Sequence, residues 1–179
     1  KTSKQVLSKL SGCCGQMDVK AHDGKLYVAE NTRHHVGVYD YEGKSIKTIG
    51  SRSGADGFGS CCNPMNLCIG PNGALFTAES EGIIRQFSAA GEQVALVGKA
   101  YLTGGCKNVA IGVSPKGDQV YFCDLPGSRI IVLSPVTDKD EAQTIARKVQ
   151  REAQPQPQPV AAPSSQSGFG TLLKALFGD

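Results

Sequence analysis

An all-β chain assembled from repeated antiparallel units is predicted by three observations. The first is an internal repeat: GCCGQMDVKAHDGKLYVAEN from Gly12, CCNPMNLCIGPNGALFTAES from Cys61 and GCKNVAIGVSPKGDQVYFCDL from Gly105 share one order of turn, apolar segment and carboxylate. The second is period-two alternation within short apolar segments, the mark of half-buried strands. The third is punctuation: glycine, 22 of 179 residues, recurs between those segments, where its freedom at positive φ suits tight hairpins. Four strands per repeat, at a spacing of roughly forty to fifty residues, suit the blade of a β-propeller.

The first unit supplies expected strands at residues 17–21, 26–29, 36–39 and 45–49, and the second at 67–70, 75–78, 83–87 and 93–97. The third supplies 109–113, 120–123 and 129–133, but Ser134, Pro135, Val136 and Thr137 stand where its fourth strand should begin. Residues 4–12, KQVLSKLSG, read like the fourth strands GKSIKTIG and GEQVALVG and precede Cys13 as those precede the next unit. The chain is therefore expected to begin on the outer strand of a blade, with residues 4–10 pairing with the outer edge of the third unit, in the same or a neighbouring chain. An unpaired edge invites association. Each second strand ends in a carboxylate, Glu30, Glu79 or Asp124. A group needed three times is expected to accept loop N–H groups rather than to catalyse, and Arg85 and Arg129 to be surface or inter-blade groups.

Residues 27–40, YVAENTRHHVGVYD, resemble the Val-Ala-Asp-x-x-Asn-His-Arg-Val-x-Val-Phe signature of NHL repeats, and GADGFGSCCNPMNLCI from Gly54 is similar to their Gly-x-Gly-x-Phe-x-x-Pro-x-Gly-Ile lead-in to the innermost strand. The resemblance covers residues 1–135 and implies a propeller of four-stranded blades, three in this chain and so half of a six-bladed ring. Either two chains supply the halves or the chain is a piece of a longer protein. NHL propellers serve as protein platforms, RNA-binding surfaces and occasional enzymes, and fold does not fix function. The paired cysteines depart from the family pattern. NHL-related lyases place several His residues around the channel, whereas this chain has three, none recurring per unit.

Composition changes after Pro135. Residues 136–154 form an expected short helix, its acids first and its bases last, as the helix dipole favours. Residues 155–168 are a Pro/Gln/Ser-rich linker without a core. In 169–179, Phe169, Leu172, Leu173, Leu176 and Phe177 recur at helical spacing as an amphipathic docking helix too short to be stable alone. This helix is expected to bind a protein partner, the plainer alternative being that it folds back on its own propeller. A net charge of +3, evenly spread, argues against nucleic acid. No apolar run is long enough to span a membrane, and the first residues carry no targeting segment.

Superimposing the glycine turns at Gly24, Gly73 and Gly117 makes Cys13, Cys62 and Cys106 coincide, so their sulfurs are expected to face one central region, with Cys14 and Cys61 beside them. Thiolates converging there could hold zinc or an iron–sulfur cluster, they could form disulfides, or they could pack as small apolar groups. No Cys-x-x-Cys is present, and Gly12-Cys13-Cys14-Gly15 resembles the CCG segments of iron–sulfur redox proteins only in part. Reduced or metal-bound cysteines fit the cytoplasm and disulfides a periplasmic or secreted setting. Cys68 and Cys123 lie within strands and are assigned to the core, and His34-His35 to loop structure rather than to a metal or acid–base site. No Gly-x-Ser-x-Gly, Walker loop or His-rich zinc motif occurs. The preferred function is a non-catalytic interaction scaffold in an oligomer or larger complex. A metal or iron–sulfur electron-transfer subunit is the alternative, and a channel-centred hydrolase or lyase the least favoured.

Overall fold

The computed structural model of the chain describes residues 2–13, 16–53, 57–59, 62–100, 109–124 and 127–134. The expected helix at 136–154, the linker at 155–168 and the docking helix at 169–179 lie outside the described residues. Strands β1 (Val19–His22), β2 (Lys25–Glu30), β3 (His35–Asp40) and β4 (Ser45–Ile49) form sheet 1 in sequential order. Sheet 2 contains β5 (Asn66–Ile69), β6 (Leu75–Ala78), β7 (Ile83–Phe87) and β8 (Gln93–Lys99), and sheet 3 contains β9 (Ile111–Val113), β10 (Val120–Asp124) and β11 (Arg129–Leu133). All neighbours within the sheets are antiparallel. The alternation and glycine turns placed every one of these strands to within two residues. The place where a fourth strand of sheet 3 would follow β11 lies outside the described residues.

The register shows why the repeat stacks. Val19 lies opposite Val28, Leu67 opposite Thr77 and Ile111 opposite Phe122, while Leu26, Leu75 and Val120 face Tyr39, Phe87 and Leu133. Because side chains alternate across a strand, these residues define one equivalent face per sheet, here called the front. The back faces carry Tyr27, Ala29, Val36 and Val38, then Phe76, Ala78 and Ile84, then Tyr121, Cys123, Ile130 and Val132. The back of sheet 1 packs on the front of sheet 2, with Val36, Val38 and Ile49 against Leu67, Leu75 and Phe87. The back of sheet 2 packs on the front of sheet 3 in the same way, with Phe76 and Ile84 against Val120 and Phe122. Each such side chain, once fully buried, contributes about 1.5–3 kcal/mol, so the sheets are held chiefly by one another.

Polar ties repeat across these joints. Asp18 Oδ2 accepts from the Leu67 amide at 2.9 Å, and Asn66 Oδ1 accepts from the Val109 amide at 2.9 Å. Asp18 and Asn66 each precede the front residue that opens its innermost strand, so one side chain per joint fixes successive strands β1, β5 and β9 side by side. The fourth strand also reaches forward: Lys47 Nζ donates to the Ala89 and Ala90 carbonyls at 3.0 and 2.7 Å, and Ile49 lies over Gly91 in the β7–β8 turn.

Residues 2–12 form no strand within this chain. They pair with no sheet edge of this chain, and β11 keeps its outer edge without a strand partner among the described residues. The segment instead lies against sheet 1, where the Val6 carbonyl sits over Gly43 in the β3–β4 turn so closely that a Cβ there would collide with it. Gly43, at φ +87°, leaves room that a side chain would fill. Further along, Arg33 Nη2 donates to the Lys9 carbonyl at 3.1 Å and Thr32 Oγ1 to the Ser11 carbonyl at 2.9 Å. Gly43 and Gly91 close identical turns, Gly43 to Asp40 and Gly91 to Ser88. Residues 6–11 thus lie against sheet 1 where β4 lies against sheet 2. The alternation that suggested a fourth strand fits this seat, but the ladder that would make it a strand has no partner edge within reach.

In the front row of sheet 2 Thr77 stands opposite Arg85, and its hydroxyl is buried with no hydrogen-bond partner among the described residues. Its counterparts are Val28 and Phe122. An unsatisfied buried hydroxyl costs about 1–3 kcal/mol, so Thr77→Val is expected to stabilise the protein by about 1 kcal/mol in denaturant unfolding.

Candidate functional site

The recurring polar feature is a buried carboxylate at the end of each second strand. Glu30, Glu79 and Asp124 are all sealed from solvent, and each meets a guanidinium of its own unit. Arg33 Nη1 donates to Glu30 Oε2 at 2.6 Å, Arg85 Nε to Glu79 Oε1 at 2.6 Å, and Arg129 Nε to Asp124 Oδ2 at 2.8 Å. The expectation that these carboxylates serve backbone N–H groups is met at Asp124, which accepts from the Gly127 amide at 3.3 Å. Arg85 and Arg129, expected as surface or inter-blade groups, are the charge partners. Burial of a lone carboxylate costs far more than a backbone contact returns, and a guanidinium supplies the compensating charge.

Each pair is elaborated differently. Glu30 also accepts from the Tyr39 hydroxyl and lies 3.4 Å from His35 Nε2. Burial, then the hydrogen bond and charge of Glu30, push the Tyr39 phenol up to about 12. Asn63 Nδ2 donates to Glu79 Oε2 at 3.3 Å while its Oδ1 accepts from the Ser80 amide at 2.7 Å. Burial pushes the Glu79 carboxyl above the usual carboxylate range, and the neighbouring Arg85 charge and hydrogen bond pull it back in part. These contacts clamp the loop between the second and third strands in each sheet.

His34 and His35 diverge. His34 is buried and donates from Nδ1 to the Phe58 carbonyl at 2.9 Å, pinning the segment that follows β4, while His35 turns to Glu30. His34 serves loop structure, as expected, whereas His35 opens β3 opposite Glu30.

Cys13 and Cys62 form a disulfide, with Cα atoms 5.5 Å apart and a sequence separation of 49. The bond links the lead-in segments of sheets 1 and 2. Asn31 holds the same region, accepting from the Cys13 amide at 2.6 Å and donating to the Gln16 carbonyl at 2.8 Å. Joined in this way, the two sulfurs offer no thiolate to a metal. Cys14, Cys61 and Cys106, and the docking residues Phe169, Leu172, Leu173, Leu176 and Phe177, lie outside the described residues. Cys68 and Cys123 are free and half-buried, and burial pushes the Cys68 thiol up.

The cysteine superposition needs one correction. Alignment on the glycine turns equates Cys13 with Cys62, but the ladders equate Val19, Leu67 and Ile111. Counting back along the sequence from those residues puts Cys14 level with Cys62 and Cys106, and Cys13 level with Cys61. The β5–β6 hairpin, with its Pro71–Gly73 turn, is one residue longer than the β1–β2 hairpin, and a match on glycine hides that residue.

No family model matches the chain, and no curated protein matches it. Among solved structures it is similar to one described as "Streptogramin B lyase structure", at 19% identity over 72% of this chain, with a TM-score of 0.49. The chain spans 39% of the length of that protein. A likeness of this size carries no argument about activity, and the lyase name stays with that protein. Among the described residues no helix is long and apolar enough to cross a membrane.

The three ion pairs differ in how water can replace the cation. Arg85 is 13% exposed and Arg129 54%. Removing one partner of a buried pair costs about 3–5 kcal/mol, so Arg85→Ala is expected to lose about 3 kcal/mol of stability near neutral pH. Arg129→Ala should lose about 1 kcal/mol, because solvent already screens that guanidinium. A carboxyl raised above its unfolded value binds its proton more tightly in the folded state, so its contribution to stability falls as pH rises through the interval between the two values. The Arg85→Ala loss should therefore shrink when denaturation is repeated at about pH 5. An equal loss at both pH values would contradict the assignment.

Proposed function

We propose that the three sheets are blades of an NHL-type propeller acting as a non-catalytic protein-interaction scaffold. The observation that carries this reading is the division of labour among the repeated residues. The recurring carboxylates are buried and neutralised inside their own sheets, while apolar residues that recur in the core emerge on the surface at β11 and β1. Exposed apolar patches on a protein surface mark interaction sites. Three blades make half of a six-bladed ring in this reading, with the third completed by a strand from elsewhere.

A second contact is assigned to residues 169–179, the helix carrying Phe169, Leu172, Leu173, Leu176 and Phe177 on a Pro-rich tether that lets it reach a protein partner. The zinc or iron–sulfur alternative draws on Cys13, Cys14, Cys61, Cys62 and Cys106 and requires the Cys13–Cys62 bond to be open. The disulfide therefore weighs for the scaffold, in an oxidising compartment.

A chain ending at residue 168 tests the reading. It should keep the melting temperature of the full chain and lose most of its co-purification with the endogenous partner, quantified by mass spectrometry. A large drop in melting temperature with association retained would show that the helix folds back on its own sheets.

A further inference from the structure

The back of sheet 3, the part of the front of sheet 1 around Val19, and one edge of the three-sheet stack lack a protein neighbour among the described residues, while Val28 on the front of sheet 1 is buried. On the back of sheet 3, Ile130 is 68% and Val132 47% exposed, whereas Val36, Val38 and Ile84 at the same ladder positions of sheets 1 and 2 are completely buried. On the front of sheet 1, Val19 is 55% exposed, whereas its counterpart Leu67 is completely buried. The outer edge of β11 has no strand partner among the described residues, and residues 4–10 form no ladder within this chain.

We infer that a second copy of this chain closes the stack into a ring. The back of sheet 3 in each copy packs on the front of sheet 1 in the other, and residues 4–10 of that other copy pair with β11 as its fourth strand. The inference deepens the propeller reading above and rests on it.

The occupant is identified by the surface itself. Tyr121, Cys123, Ile130 and Val132 present an uncharged back face, and within this chain such a face packs twice on the same kind of surface, an equivalent front face. The one front face left over belongs to sheet 1. The seat of residues 6–11 against that sheet matches the seat of β4 against sheet 2, where β4 is the fourth strand of the sheet stacked in front. A sheet 3 stacked on sheet 1 by the joint already used twice therefore brings its β11 edge alongside residues 4–10. A single docking geometry covers both faces and pairs the edge. Repeated by a twofold axis it closes without leaving an open end. Three sheets from each copy make six, within the usual number of blades.

Sedimentation equilibrium of the full chain tests this. The wild type should have twice the monomer mass, and the double substitution Ile130→Asp, Val132→Asp should give a monomer with an unchanged circular dichroism spectrum. Val6→Pro removes a strand donor and clashes with strand pairing, so it provides an independent second variant and should also weaken the dimer at least tenfold. A monomeric wild type, an assembly larger than two, or a dimer indifferent to both sets of substitutions would overturn the inference. None of these results bears on co-purification through residues 169–179, so failure here is distinguishable from failure of the scaffold reading.

Discussion

Both faces of each sheet in this chain are apolar, and a sheet with two apolar faces can be stable only between two neighbours. Sheet 2 has them: Leu67, Leu75 and Phe87 are covered by sheet 1, and Phe76, Ala78 and Ile84 by sheet 3. The other features of the structure follow from this front-to-back joint. It requires identical registers, so that the front row of one sheet always meets the back row of the one before. It also requires short strands, because a longer strand would twist its ends away from the neighbour. The side-chain ties from Asp18 to Leu67 and from Asn66 to Val109 set how far one sheet may slide on the next.

The buried ion pairs serve that joint indirectly. Each carboxylate sits where the second strand ends and the loop to the third begins, and the loop must turn back sharply for the third strand to stay in the same sheet. Pairing with Arg33, Arg85 or Arg129 ties the loop down and neutralises the carboxylate where the front row ends. Tyr39 shows the consequence: its front-face ring reaches Glu30 with its hydroxyl and so satisfies both the apolar row and the polar loop. The Cys13–Cys62 bond and His34 do similar work on the segments that pass from one sheet to the next.

The strands were legible because alternation and glycine turns are local signals, and β4, β6, β7 and β11 begin and end where the pattern does. Non-local pairings were less legible. The arginines lie three, six and five residues beyond their carboxylates, so no fixed spacing announces the pairs. An arginine near the start of the third strand in two of the three units was the available signal. Residues 4–10 have the alternation of a strand, yet alternation reports which face is covered and not whether an edge is free to pair. The cysteines were misaligned by one residue because hairpin length is invisible to a match made on glycine. Exposure at Ile130 and Val132 could not be read at all, since their sequence is that of buried strands and exposure depends on what packs on them from elsewhere.

If the joint is what stabilises every sheet, no sheet should unfold by itself. Stability in a repeat stack is the sum of unit and interface contributions, and strong interfaces make the stack cooperative. The direct measurement is denaturant-dependent hydrogen exchange at the amides of Val28, Thr77 and Phe122, which hold the same ladder position in the three sheets. A single midpoint shared by the three amides is predicted. Three separate midpoints, or a sheet 1 that survives after sheet 2 has opened, would contradict the account.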